Sequence, residues 1–278
     1  MLTIDPKTEK TSIVHKYILG TVAPRPIAFA STIDNDGNLN LSPFSFFNAF
    51  SANPPILIFS PARRVRGNTI KHTLENVTQN NEVVISIVTA EMAQQVSLSS
   101  CDFEKGVNEF EKSGFTPVKS EIITPFCVKE SPVNFECKVN QIISLGEEGG
   151  AGNLVICEIL KIHINEEILD DENNIDPLKL NALSRLGGNW YGKATKDSLF
   201  QLAKPIGIIG IGVDNLPEEI RNSSTLSGSD LAILASVENI PEKKEFTLRE
   251  EKNTTEKHIL AKKLLSQGKS EDAWQILL

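Results

Sequence analysis

The stretch LSPFSFFNAFSANPP, Leu41–Pro55, places Phe44, Phe46, Phe47 and Phe50 among serines, asparagines and alanines and ends on two prolines. A buried strand normally alternates β-branched or aromatic residues with others, and this segment does not. Rings interleaved with small residues suit a segment whose backbone comes close to a ligand. Phe44 and Phe50 read more simply as core packing.

Upstream, Pro26–Ile33 (PIAFASTI) puts Ile27, Phe29, Ser31 and Ile33 on one face and Ala28, Ala30 and Thr32 on the other, the period of a strand. Asp34–Asn38 (DNDGN) supplies a hairpin turn, and Leu39–Ser42 returns. Downstream, Pro54 and Pro55 break the chain before a buried strand, Ile56–Ser60. A helix is expected over Asn68–Gln79, capped by Asn68 and with Ile70, Leu74 and Val77 on one face. Glu82–Val88 reads as a strand, and Ala90–Ser100 and Asn108–Lys112 as short helices. Pro132–Ser144 and Leu154–Asn165 flank a glycine-rich turn and form a long hairpin. Strands joined by short turns, with helices interposed instead of alternating, predict a mainly β fold: a small antiparallel barrel with inserted short helices.

Beyond about Thr195 the texture changes, so residues 1–195 are expected to form one domain and 196–278 a partly helical appendage. Thr255–Leu265 and Ser270–Leu278 have the spacing of amphipathic helices, expected to pack on their own domain or a sister subunit. The glycine-rich run Ile206–Asp214 (IGIIGIGVD) lacks the full spacing of a dinucleotide-binding turn and reads as a packed strand.

Composition narrows the function. A net charge of -8 argues against a nucleic-acid partner, since phosphate backbones are held by clustered Lys and Arg. Pro61–Thr73 (PARRVRGNTIKHT) is a local basic exception. The first residues carry no apolar targeting segment, and no run is long enough to span a bilayer, so the expectation is a cytoplasmic protein with no membrane partner. Cys101, Cys127, Cys137 and Cys157 show no CxxC pair and no histidine at metal-ligand spacing, which indicates neither zinc nor a disulfide framework and fits a reducing compartment. His15, His163 and His258 have no partner at motif spacing and read as ordinary residues.

Taken in order, APRPIAFASTID, DGNLNLSPFSFFNAFSANPPILIFS, KHTLENV, EVVISIV and ESPVNFECKV resemble the FMN-binding split-barrel flavin reductases over roughly Thr21 to Ala194. The resemblance implies an antiparallel Greek-key split β-barrel and a homodimer with FMN at the subunit interface. It also implies oxidoreductase activity using NADH or NADPH, or an electron-transfer protein as partner. On that likeness, Ala30, Ser31 and Thr32, together with Ser45, Phe46, Phe47 and Asn48, hold the flavin, largely through main-chain groups. An isoalloxazine ring offers a broad apolar face and a polar edge, which aromatic neighbours and exposed backbone donors would match.

The phosphate calls for positive charge and convergent donors at a helix start. Arg63, Asn68, Lys71 and Thr73 are the expected contacts, with Arg64 and Arg66 as further candidates. Family members commonly read Lys-Asp-Thr where this chain has Lys71, His72 and Thr73, so His72 is a departure. Arg185–Ala194 (RLGGNWYGKA) resembles the family's closing stretch, where Trp190 and Tyr191 either cover the ring or pack in the dimer interface. No residue is assigned an acid, base or nucleophile role and no metal is expected, since hydride transfer needs stacked rings and excluded water. The expected function is an NAD(P)H-dependent flavin reductase; the alternatives are a flavoredoxin-like FMN electron carrier and a barrel dimer without flavin.

Overall fold

In the computed structural model, which describes residues 1–202, 207–244 and 252–278, the phenylalanine-rich stretch is the corner between two strands. The chain divides into two compact units, Met1–Phe200 and Gln201–Leu278.

The first unit runs α1 (Thr11–Thr21), β1 (Arg25–Pro26), β2 (Ala28–Ile33), β3 (Leu39–Phe44), β4 (Phe47–Ala52), β5 (Pro55–Phe59), α2 (His72–Asn80) and β6 (Glu82–Ile87). It continues through α3 (Ala93–Ser99), α4 (Glu109–Ser113), β7 (Pro117–Val118), β8 (Cys127–Val128), β9 (Val133–Ser144), β10 (Asn153–Ile164), α5 (Pro177–Leu180), β11 (Ser184–Arg185) and β12 (Tyr191–Gly192). Seven strands make one antiparallel sheet in the order β3-β2-β6-β9-β10-β5-β4.

That order shows why the sheet must curl. β3 and β4 lie at opposite ends of it, yet only Ser45 and Phe46 connect them. The three Cα–Cα steps from Phe44 to Phe47 span at most about 11 Å, whereas seven strands laid flat at about 4.8 Å spacing would separate the edges by roughly 29 Å. The sheet therefore rolls until its edges meet. Among the described residues no ladder joins β3 to β4, so the barrel stays split along that seam. Phe44 turns inward there to meet the Phe59 ring at 5.4 Å, and Ser60 N donates to Phe46 O across the corner at 2.8 Å. The stretch is thus the end of one edge strand, a corner and the other edge strand. Phe50, expected in the core, is 63% exposed on β4.

The alternation in β2 has a structural reason. Its small residues, Ala28 and Ala30, face the barrel interior with Phe44, Phe59, Val83, Ile85 and Val155. Ile27, just before the strand, and Phe29 on its other face enter a second core with Met92, Val96, Phe110 and Phe115 beneath α3 and α4. Both faces are covered, so every β2 residue is buried. The turn after β2 forms as its sequence suggests, with Asp34 Oδ1 accepting from Asp36 N and Asn38 N and Gly37 at φ +85°.

Two differences concern helices. α2 starts at His72, because Asn68 adopts φ +48° and serves the preceding loop instead of capping. α1 was not legible in the sequence: it has no side-chain cap and buries no residue, so neither capping nor amphipathic signals mark it. Arg25 anchors its end, donating from Nη1 to Leu19 O at 2.6 Å and to Val22 O, and from Nη2 to Leu186 O at 3.1 Å.

The second unit contains α6 (Glu218–Arg221), α7 (Gly228–Leu234), α8 (Thr254–Ser266) and α9 (Ser270–Leu277). Both α7 and α8 begin with capping boxes, Ser227 with Asp230 and Asn253 with Glu256. Trp274, Leu264, Leu265, Ile220 and Leu234 form a separate apolar core, so these helices bury their faces within their own unit. Gly207–Asp214 forms no strand, although Ile211 N and Gly212 N donate to Val237 O and Ala235 O; Ile206 lies outside the described residues.

Candidate functional site

A groove follows β3 and α3 across the first unit. Its basic end is lined by Asn40, Ser42, Arg64, Lys71, His72, Thr73 and Ser99, with Asp102 on the loop after α3. A second cleft, of about 180 Å³, is bordered by Pro43, Ser45, Ser97, Ser100, Arg185 and Tyr191; β3 contributes alternate residues to the two, Asn40 and Ser42 to the first and Pro43 to the second.

The basic end is organised around one carboxylate. Asp102 Oδ1 lies 3.5 Å from Lys71 Nζ and 3.3 Å from Arg64 Nη2. The Lys71 ammonium, and then the Arg64 guanidinium, hold the Asp102 carboxyl below its ordinary range. Arg64 is oriented by its own loop, since Nη1 donates to Ile70 O at 2.7 Å. Two cations thus converge where an anion sits, at the start of α2.

Behind the groove lies a buried polar network. Thr73 Oγ1 and Thr32 Oγ1 donate to Asn40 Oδ1 at 2.7 and 3.3 Å, and Asn76 Nδ2 donates to Thr32 Oγ1 at 3.0 Å. Asn40 Nδ2 and Leu41 N in turn donate to the two oxygens of Glu109. Burial pushes the Glu109 carboxyl up, with these donors opposing it. The network fixes β2, β3, α2 and α4 relative to one another, making the groove floor rigid.

Against this geometry the expected contacts divide. Ser45, Lys71, Thr73 and Tyr191 line the groove. Ala30, Ser31 and Thr32 do not: all three are fully buried in β2, Ala30 and Ser31 with strands paired on both sides and Thr32 paired with Asn40 of β3. Among the described residues, Ser31 Oγ finds no hydrogen-bond partner in its buried position. Phe46 is half-buried and meets the His15 ring edge-on at 6.3 Å, and half-buried Phe47 packs on the barrel core. Asn48 is exposed on β4 and accepts from Ala49 N. Arg63 and Asn68 satisfy each other, Arg63 Nε donating to Asn68 Oδ1 at 2.7 Å. Trp190 is 76% exposed and borders neither part of the groove.

Sequence reasoning missed Asp102 and Arg185. The Arg185 guanidinium lies 4.4 Å from the centre of the Tyr191 ring, forming a flat cationic wall at the groove's far end. Asp102 has no motif of its own, and Arg185 opens the RLGGNWYGKA stretch without standing out in it; the chain brings each to β3 from more than fifty residues away.

Comparison with known proteins fits this architecture. The model of the flavin reductase like domain matches residues 20–180. The chain is 38% identical over 181 residues to an uncharacterized protein of Aquifex aeolicus, covering 65% of this chain and 90% of that one. Among solved structures, nitrilotriacetate monooxygenase component B from Bacillus cereus is similar at 30% identity and TM-score 0.68, over 73% of this chain and 98% of that one. A split-barrel domain from Shewanella frigidimarina shares the fold at TM-score 0.62 and 24% identity, over 73% of this chain and 100% of that one. The chain belongs to the flavin reductase-like family, and its fold is the antiparallel split barrel.

Proposed function

We propose that this chain binds FMN along the groove and acts as an NAD(P)H-dependent flavin reductase. The observation that carries the reading is the convergence of Arg64 and Lys71 on one carboxylate oxygen at the start of α2. A phosphate offers the same negative oxygens with more of them, and Arg binds it in a planar fork. The cleft beside Pro43, Ser45, Arg185 and Tyr191 suits a flat ring with a polar edge.

A bound flavin supplies the hydride-accepting ring. This chain's residues hold and orient it. Arg64 and Lys71 would hold its phosphate and Ser45 and Pro43 its ring, with the network behind β3 keeping these residues fixed. A nicotinamide donor then needs only an open face on the ring, and no protein acid or nucleophile is required.

A homodimer belongs to the same proposal. Leu160, Ile162 and Ile164 of β10, with Phe50 of β4, leave large apolar groups exposed on the barrel wall, as expected of a surface that a second copy covers. Among the described residues, no helix is long and apolar enough to cross a membrane.

The test is the visible spectrum of FMN-supplemented, desalted protein, recorded anaerobically before and after NADPH and then NADH. Retained flavin that bleaches with a nicotinamide is the expected result. Flavin that is retained but stays oxidised would replace this reading with an electron carrier served by a protein donor, and a chain that retains none under any condition would overturn it.

A further inference from the structure

A second polar cluster lies on strands that the groove does not use. Cys127 of β8, Glu136 of β9 and His163 of β10 each point one ligand atom to a common place, and these three atoms all lie within 4.8 Å of one another. We propose that Cys127 Sγ, Glu136 Oε1 and His163 Nε2 form a zinc-type metal site with one exchangeable position.

The donor set is mixed in a way that suits this ion. Thiolate sulfur, imidazole nitrogen and carboxylate oxygen are the three ligand types zinc combines, with three protein ligands and one open position when the site is not purely structural. Bonds of about 2.0–2.3 Å in a tetrahedron place ligand atoms about 3.4–3.8 Å apart. Closing from the observed separation takes a thiol rotation and a small swing of the His163 ring. Glu136 Oε1 and His163 Nε2 already meet at 2.7 Å, so they separate slightly as an ion enters between them.

The surroundings resemble those of a built metal site. Glu136 is fully buried and held rigidly, its oxygens accepting from Glu121 N at 2.8 Å and Ile122 N at 2.9 Å. On the other side of the ring, His163 Nδ1 faces Glu121 Oε1 at 3.8 Å, while Lys161 engages Glu121 Oε2. A carboxylate behind a ligating histidine keeps the proton on the far nitrogen and orients the ring. Cys127 Sγ also meets the Ser120 hydroxyl at 3.7 Å. Coordination would send the Cys127 thiol proton to solvent and leave His163 neutral.

The remaining position faces a cleft of about 290 Å³ that Cys127 and His163 line together with Val118, Lys119, Glu121 and Lys129. The cleft leaves room for water as the fourth ligand. Spacings of nine and twenty-seven residues along the chain conceal the cluster from motif reading.

The experiment is titration of metal-stripped full-length protein with zinc chloride by calorimetry and with cobalt chloride by absorption. The expected result is one ion per chain, with a thiolate-to-cobalt charge-transfer band and the intense visible bands of a four-coordinate ion. Cys127→Ser should remove the charge-transfer band, and His163→Gln should weaken zinc by more than the roughly 10–100-fold expected of Glu121→Gln. Circular dichroism identifies a variant that fails to fold, in which case the remaining variants and the wild-type bands decide. Absence of a thiolate band in the wild type, or zinc affinity unchanged in both folded Cys127→Ser and His163→Gln, would overturn the site.

Discussion

Asp102→Asn should tighten FMN binding. The wild-type carboxylate occupies the two cations that the proposed phosphate requires, so FMN must displace it or bind beside a like charge. Asp102 Oδ1 lies 3.5 Å from Lys71 Nζ and 3.3 Å from Arg64 Nη2, but its side chain is 72% exposed. Solvent therefore screens both contacts, and each has the value of a surface ion pair, about 0.2–1 kcal/mol. Freeing both cations releases roughly 0.4–2 kcal/mol, about a 2- to 30-fold gain in affinity. Fluorescence-quench titration of wild type and variant measures it.

The gain should shrink as salt rises, because exposed charges are screened. It should also persist as the pH falls to the ordinary carboxyl value of 3.8, since the depressed pKa keeps Asp102 ionised there. The ion pairs stabilise the loop above that range and are lost as the pH drops through the depressed folded value. Equal or weaker affinity in Asp102→Asn at low salt would refute the assignment of this pair to the phosphate.

Three further outcomes follow from the structure. Lys71→Ala should weaken FMN by about 1–3 kcal/mol, one charge-assisted contact, in the same titration. Phe44→Ala should cost about 3–5 kcal/mol in urea unfolding because it opens the barrel corner against Phe59, whereas Phe50→Ser should leave the unfolding free energy nearly unchanged at subunit concentrations too low for association. In metal-free protein, a disulfide reagent at neutral pH should titrate exposed Cys101 quickly; burial pushes Cys157 up and Cys137 up to about 12, so those two should react only on unfolding.

Local signals in the sequence were enough for much of the barrel. The alternation of PIAFASTI, the Asx turn at DNDGN and the long apolar arms of β9 and β10 are written in neighbouring residues, and the elements form where those patterns lie. Lys71 was legible for the same reason, as a cation beside a helix start.

Sequence alone did not determine the role of the phenylalanine-rich stretch, because a corner is defined by which strands meet across it. Only the sheet order shows that β3 and β4 are opposite edges joined by two residues, which sends Phe44 inward and leaves Phe50 outside. Partnership between distant residues was hidden likewise. Arg63 and Arg64 are adjacent and chemically identical, yet Asn68 satisfies one and Asp102 draws the other into the groove. Ser31 and Thr32 match a motif, but both are buried in β2, Ser31 between β3 and β6 and Thr32 against Asn40 of β3. Local pattern sets which segments are strands and helices; which side chains face a ligand depends on contacts between segments far apart in the chain, and those exist only once the sheet has closed.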